Sequence, residues 1–274
     1  MSLSSLPESN LRVLEHLATY RFLTVPQLQR LGIAEHRESV YRVLRRFKTT
    51  RRKLVEKKDF GFSPGRGNLP SVFYLSRQGA AFLADVHRAD PAEIKYPKGV
   101  HVFERDYFHR MATIDFHIAL RQWADQKGAI VDFFDTYFDK TGSNRGRRTG
   151  DRLRARTRVD LSDRFFIPDA IYLYTTADGR KHLAVVEIHN GMDTGRFMRQ
   201  MEPHIQALRE GAVTDKYGLD FANRSQWIFE HQVAMHAALK RIRRRHAWHQ
   251  YRPFVDFNTI DNVRADFESG WCKF

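Results

Sequence analysis

The sequence predicts a mixed α/β chain of the α+β kind in two parts. A helix-rich N-terminal part ends in a pair of strands, and a larger C-terminal part holds a mixed sheet flanked by helices. Three observations predict this. Apolar residues recur at helical spacing through the first ninety residues, and two short strand-like runs there flank a Pro- and Gly-rich turn. The stretch 91–101, entered at Asp90-Pro91 and holding Pro97-Lys98-Gly99, reads as a linker. Beyond it, from 102 to 274, helical and strand patterns alternate: helix, strand, hairpin, helix, strand, helix, strand.

In the first part, Asn10 is expected to cap a helix running to about Tyr20 that buries Leu11, Leu14 and Leu17. Thr24, Pro26 and Gln27 spell the start of a second helix. Thr24 is its N-cap, Pro26 sits in its first turn, Gln27 closes a capping box, and Gly32 ends it. A third helix, from about His36 to Thr49, turns Val40, Val43, Leu44 and Phe47 inward. Its other face carries Arg37, Tyr41, Arg42, Arg45, Arg46 and Lys48. A strand from Lys53 towards Phe62, a tip at Ser63-Pro64-Gly65-Arg66-Gly67-Asn68 and a strand at Ser71–Leu75 follow. Ser76 then caps a fourth helix that is expected to bury Ala80, Phe82, Leu83 and Val86.

This order resembles a winged helix-turn-helix. The resemblance implies that the third helix enters the major groove of double-stranded DNA and that the hairpin tip touches its backbone. Arg37, Tyr41, Arg42, Arg45, Arg46 and Arg66 are then the DNA-binding candidates.

In the second part a long helix is expected from about Val102 to Lys127, then a strand from Ala129 to Phe138. Residues 140–164 are rich in arginine and broken by Gly142, Gly146 and Gly150. They read as a mobile loop whose Arg147, Arg148 and Arg154 suit phosphate contact. A strand through Phe165–Leu173 and a return strand His182–His189 are joined by a turn at Ala177-Asp178-Gly179-Arg180. Asp169 and Glu187 interrupt these two apolar runs. Neighbouring antiparallel strands can bring two such carboxylates onto one hard divalent cation, Mg²⁺ or Mn²⁺. That cation would activate a water and stabilise a phosphodiester transition state. Asp169 and Glu187 are thus the metal and catalytic candidates, and the long helix offers Glu104 or Asp115 as a third acid.

The order Pro168-Asp169, hairpin, Glu187 resembles the PD-(D/E)XK core of restriction-endonuclease-like nucleases. That pattern has a lysine two residues after the second acid, where this chain has His189. Histidine can move protons but holds no constant charge at neutral pH. The basic role could instead fall to the next helix, which carries Arg196, Arg199 and Gln200. A helix Asp193–Arg209, a strand Gln226–Glu230, a basic helix Val233–Trp248 containing Lys240-Arg241-Ile242-Arg243-Arg244-Arg245, and a last strand Phe254–Phe257 complete the reading.

Over nearly the whole chain the sequence resembles the replication-relaxation proteins of plasmids and other mobile elements, a group that includes mobilisation relaxases with a restriction-enzyme-like domain. The resemblance rests on Tyr20–Leu28, on Tyr74–Ala80, on His109 with Asp115, and on Pro168-Asp169 with Glu187. It implies recognition of a replication or transfer origin and metal-dependent nicking. The alternative is a non-catalytic DNA-binding regulator or relaxosome accessory built on a nuclease-like scaffold. Other relaxosome or replication proteins, and a second copy of the chain in a homodimer, are the protein partners left open.

Composition agrees with a polyanionic partner. Lys and Arg outnumber Asp and Glu by 46 to 32 in 274 residues, a formal charge of +14. The single cysteine, Cys272, rules out an internal disulfide and a multi-cysteine zinc site. No signal peptide and no membrane-spanning stretch is legible, so the cytoplasm is the expected compartment and no membrane partner is expected. There is no internal repeat, glycine-rich phosphate loop or nucleophile elbow.

Overall fold

A computed structural model describes residues 6–49, 52–97, 106–142 and 153–274. They fall into two compact units that divide between Tyr107 and Phe108.

In the first unit, α1 (Glu8–Tyr20) starts earlier than the sequence suggests. Asn10 is buried inside its first turn, Pro7 holds the cap position without a side-chain bond, and Leu11 is only partly buried. Helix α2 (Val25–Arg30) carries the expected capping box. Gln27 N donates to Thr24 Oγ1 at 3.4 Å, and Thr24 N donates to Gln27 Oε1 at 2.9 Å. Helix α3 (Arg37–Thr49) buries Val40, Leu44 and Phe47. A strand that periodicity could not show, β1 (Leu23–Thr24), pairs with β5 (Val72–Leu75), which also pairs antiparallel with β2 (Val55–Lys58). The sheet order is therefore β1-β5-β2. The expected strand towards Phe62 breaks after Lys58. Phe62–Ser63 (β3) and Gly67–Asn68 (β4) form a separate small hairpin with Arg66 at its tip.

Ser76 caps α4 (Arg77–His87), accepting from Gly79 N at 2.9 Å. Gly79 is required there, since a Cβ would collide with the carbonyl oxygen of Leu54. This helix buries Gly79, Ala80, Leu83 and Ala84; Phe82 is only partly buried, and Val86 lies outward on the solvent side.

In the second unit, α5 (Tyr107–Lys127) is buried on every side from Met111 to Leu120, the behaviour of a central helix. The main sheet has the order β14-β13-β12-β11-β6. Strand β11 (Ala170–Thr175) pairs antiparallel with β6 (Ile130–Thr136) and with β12 (Lys181–His189). Strands β12, β13 (Arg224–Phe229) and β14 (Val255–Thr259) run parallel, making a mixed five-stranded sheet. One face packs Phe134, Tyr172, Val186 and Ile188 against α5 and α9 (Ile260–Ala265). The other face packs Trp227, Phe229 and Phe257 against α6 (Thr194–Glu210) and α8 (Gln232–Ile242). A short helix that sequence reading missed, α7 (Ala212–Tyr217), lies next on that face. The expected long basic helix stops at Ile242, and a 3-10 helix, His246–Phe254, leads into β14.

Two expectations are corrected. The strand from Phe165 to Leu173 is two strands, β10 (Phe165–Phe166) and β11, because Pro168 cannot donate to a ladder. The arginine-rich segment is not an irregular loop in its described parts. β7 (Lys140–Thr141) pairs with β8 (Arg154–Ala155), and β9 (Val159–Asp160) pairs with β10. The run Arg154-Ala155-Arg156-Thr157-Arg158-Val159 alternates strictly, burying Ala155, Thr157 and Val159 under outward arginines. Among the described residues no helix is long and apolar enough to cross a membrane.

Candidate functional site

Pro168 ends one strand, and Asp169 stands at the mouth of the next. Asp169 N donates to Val186 O at 3.1 Å. With Ala170 opposite Val186, this sets Asp169 directly across from Glu187 in the hairpin register. Both carboxyls are buried. Asp169 Oδ2 accepts from Ile188 N at 2.7 Å, and Oδ1 meets His109 Nε2 of α5 at 2.6 Å.

Glu187 Oε1 lies 2.9 Å from His204 Nε2 of α6. His204 Nδ1 lies 3.0 Å from Ser225 Oγ, and Trp227 Nε1 donates to that same oxygen at 3.0 Å. An indole N–H can only donate. The arrangement that satisfies every atom therefore runs one way. Trp227 donates to Ser225, the Ser225 hydroxyl donates to His204 Nδ1, and His204 Nε2–H donates to Glu187. Three elements, β13, α6 and β12, thus contribute to holding one carboxyl.

Proton affinities divide accordingly. Burial pushes the Asp169 carboxyl up, but His109 and the bonds from His109, Glu187 and Ile188 outweigh it and hold Asp169 below the usual range. Glu187 is pushed well above the usual range by burial and by the charge and hydrogen bond of Asp169. The two acids therefore share one proton, resting on Glu187. Burial drives His204 down to about 3, so it is neutral.

His189, one step along the same face, is lowered by burial and by the charge of Arg196, while Gln200 pulls the other way. Its ring packs on Phe229 and Phe197, and its Nε2 has no hydrogen-bond partner among the described residues.

The structure thus joins Asp169 and Glu187 and sets His189 beside them. Asp115 is elsewhere in its bonding: its Oδ2 accepts from Arg264 Nε of α9 at 3.1 Å. Glu104, Arg147 and Arg148 lie outside the described residues. Arg37, Arg42, Arg45 and Arg46 are exposed on α3, Tyr41 is partly buried beside them, and Arg66 is exposed at the tip. Arg154 is exposed on β8, at the rim of a cavity of about 720 Å³. The other cations of that cavity are engaged. Arg156 meets Asp135 at 3.0 Å, Arg158 meets Asp160, and Lys216 donates to the carbonyls of Arg156 and Arg158. Among the described residues, no three or more His, Cys, Asp and Glu side chains are gathered in a shape that would hold a metal ion.

His204 was the residue hardest to assign from sequence, yet a signal existed. It falls on the helical stripe Phe197, Met201, His204, Ile205, a polar group at a core position.

The family model for replication-relaxation matches residues 14–219. The chain belongs to the replication-relaxation family. In this replication-relaxation protein the match spans parts of both units and includes His109, Asp169, Glu187 and His204, and it ends before Ser225 and Trp227. Searches of curated proteins and of solved structures gave no match.

Proposed function

We propose that this protein binds DNA of a plasmid or other mobile element, acts in its replication or mobilisation, and nicks it with Mg²⁺ or Mn²⁺ held by Asp169 and Glu187. One observation carries the catalytic part: two buried carboxyls stand opposite one another across a hairpin. A divalent cation balances such a pair as a proton does, and His189 adds a buried nitrogen without a partner. Carboxylate oxygens are the ligands that a small hard cation takes, which supports the reading. When bound, the cation would supply a polarised water and charge neutralisation at the phosphate. His109 and Ile188 N would hold Asp169, and His204 would hold Glu187. Glu187 must give up its proton for the cation to enter, so apparent cation affinity should rise with pH.

The element order and exposed cations of the first unit support a winged helix-turn-helix in which α3 reads the major groove. Arg37, Arg42 and Arg45 are exposed with no carboxylate partner among the described residues. The helix, antiparallel strands, helix and parallel strands of the second unit support a restriction-endonuclease-like core.

The test is incubation with supercoiled cognate plasmid and Mg²⁺ or Mn²⁺, scored for nicked circles. Asp169→Asn and Glu187→Gln should each abolish nicking and leave DNA binding intact, with His189→Ala milder. A specific feature favours a second reading, a non-catalytic DNA-binding protein. Where the nuclease pattern has lysine, His189 is kept uncharged by burial and by Arg196. If wild type gives no cation-dependent nicks while still binding DNA, the second reading stands.

A further inference from the structure

Residues 231–255 contain no Asp or Glu, yet they hold Lys240, Arg241, Arg243, Arg244, Arg245 and Arg252. Elsewhere in the second unit many cations are neutralised: Arg224 by Asp256 at 2.6 Å, Lys127 by Glu268 at 2.6 Å, and Arg156 by Asp135 at 3.0 Å. Lys240, Arg241, Arg243, Arg244 and Arg245 are all exposed, and none has a carboxylate within ion-pair distance among the described residues. A helix C-terminus favours cations within its last turn. It does not account for five, three of which follow the last helical residue, Ile242. Crowding them raises the energy of the free protein, and a polyanion would lower it again.

The cluster is also joined to the acidic site. Arg241 Nη1 donates to Thr194 Oγ1 at 3.1 Å, at the start of α6. A Cβ on Gly195 would lie 3.0 Å from Asp193 Oδ1, 3.5 Å from Arg199 Nη1 and 3.8 Å from Arg241 Nη1, so two guanidiniums flank the single capping carboxylate, Asp193, which pairs with Arg199 at 3.8 Å and leaves the local balance positive. One residue further, Arg196 is exposed on the first turn of α6. Cations therefore run from the end of α8 across the first turn of α6, the helix whose His204 meets Glu187 at 2.9 Å.

We propose that this strip, from Arg243–Arg245 through Arg241 and Arg199 to Arg196, is a second DNA-contact surface of the protein. It would hold one phosphate backbone beside Asp169 and Glu187. The inference rests on the DNA-binding reading above but needs no nicking. Backbone contact without base readout is carried by such side chains, and each phosphate neutralised adds about 0.9 to the salt slope of binding.

The experiment uses the full chain, EDTA to remove divalent cations, and a random-sequence duplex of about 30 base pairs, long enough for several contacts. The variant Arg243→Gln/Arg244→Gln/Arg245→Gln should lower affinity at low salt by about tenfold or more and reduce the slope of log affinity against log salt by about 2 to 3. The matching Arg→Lys triple should restore the slope, because charge is retained. Arg42→Ala/Arg45→Ala reads the first unit separately. If wild type binds and the Gln triple keeps its affinity and slope, the strip is not a DNA contact. If the Gln triple loses binding to phosphatidylserine vesicles but not to DNA, the strip serves a lipid surface and the proposal is overturned. If wild type binds no duplex at all, both this inference and the DNA-binding reading fall.

Discussion

Asp169 and Glu187 are two like charges taken out of water, whereas Arg243, Arg244 and Arg245 are three like charges left in it. The buried pair is not tolerated as a pair. One acid keeps a proton, the other is faced by His109, and a hydrogen-bonded chain fixes the geometry. The exposed triplet has none of these compensations and does not need them, since water and counterions screen it. The difference separates two uses of charge. The interior stores an arrangement that a cation or a change of pH can disturb, while the surface keeps charge available for a partner.

The largest expected effect tests the chain that holds Glu187. His204→Ala removes a fully enclosed ring, takes the donor from Glu187 Oε1 and leaves the Ser225 hydroxyl hydrogen without its acceptor. We expect a loss of about 3–5 kcal/mol in unfolding free energy, from cavity and unsatisfied polar groups together. His204→Gln, which can still donate to Glu187, should recover part of that loss. Denaturant melts decide it. A loss below about 1 kcal/mol for His204→Ala would mean that the ring does not support the carboxyl.

A smaller effect tests where the proton sits. Glu187 is the protonated member, so Glu187→Gln replaces a neutral donor and acceptor by another and should cost less than about 1 kcal/mol. Asp169→Asn removes a charged acceptor facing His109 and Ile188 N, and should cost about 1.5–3 kcal/mol. The reverse order in denaturant melts would place the shared proton on Asp169.

The same assignment gives opposing pH dependences. Glu187 has its proton affinity raised in the folded state. The stability it contributes is fully present below its ordinary value near 4.5 and is lost as pH rises through the folded value. His204 is lowered from 6.5 to about 3, so its contribution is present above 6.5 and is lost as pH falls towards 3. Between pH 4.5 and 6.5 the two dependences run in opposite directions. Relative to wild type, Glu187→Gln should lose stability on acidification across that window, and His204→Gln should gain it. Parallel curves for all three proteins would show that neither group carries the shift assigned to it.

How much of this was legible in the sequence follows the same division. The exposed faces could be read, because helical spacing separates Val40, Leu44 and Phe47 from Arg42 and Arg45 without tertiary information. The Thr24–Gln27 box and the Ser76 cap were legible because a cap is a local bond. Asp169 and Glu187 stood out as acids in apolar runs. Their pairings did not: His109 stood out only in company with Asp115, and His204, Ser225 and Trp227 come from separate elements that meet only when the sheet closes. Asp115 shows the converse failure. It is an acid on a suitable helix, but its partner lies about 150 residues away, at Arg264, and no local pattern announces that. Residues 153–164 differ from the reading for a simpler reason: the glycines nearby drew attention from the apolar-polar alternation of Arg154–Val159, whose two ends pair as β8 and β9 around a turn.

The smallest expected effect lies on the exposed side and is a matter of sign. Replacing Arg243, Arg244 and Arg245 with Gln removes repulsion among neighbours and also weakens the favourable charge at the end of α8. The second contribution is a few tenths of a kcal/mol and is largely met by Lys240 and Arg241, which remain. Arg245 also gives up a loose contact over the Trp248 ring, 5.8 Å from its centroid. Unfolding free energy should therefore change by no more than about 0.5 kcal/mol. Relief of repulsion predicts a slight gain at low salt that disappears at high salt, because the Debye length shrinks from about 30 Å at 0.01 M to about 3 Å at 1 M. Urea melts at those two ionic strengths measure it. A loss above about 1 kcal/mol that persists in high salt would mean that these arginines hold the fold together. Their exposure would then no longer mark them as charge kept for a partner.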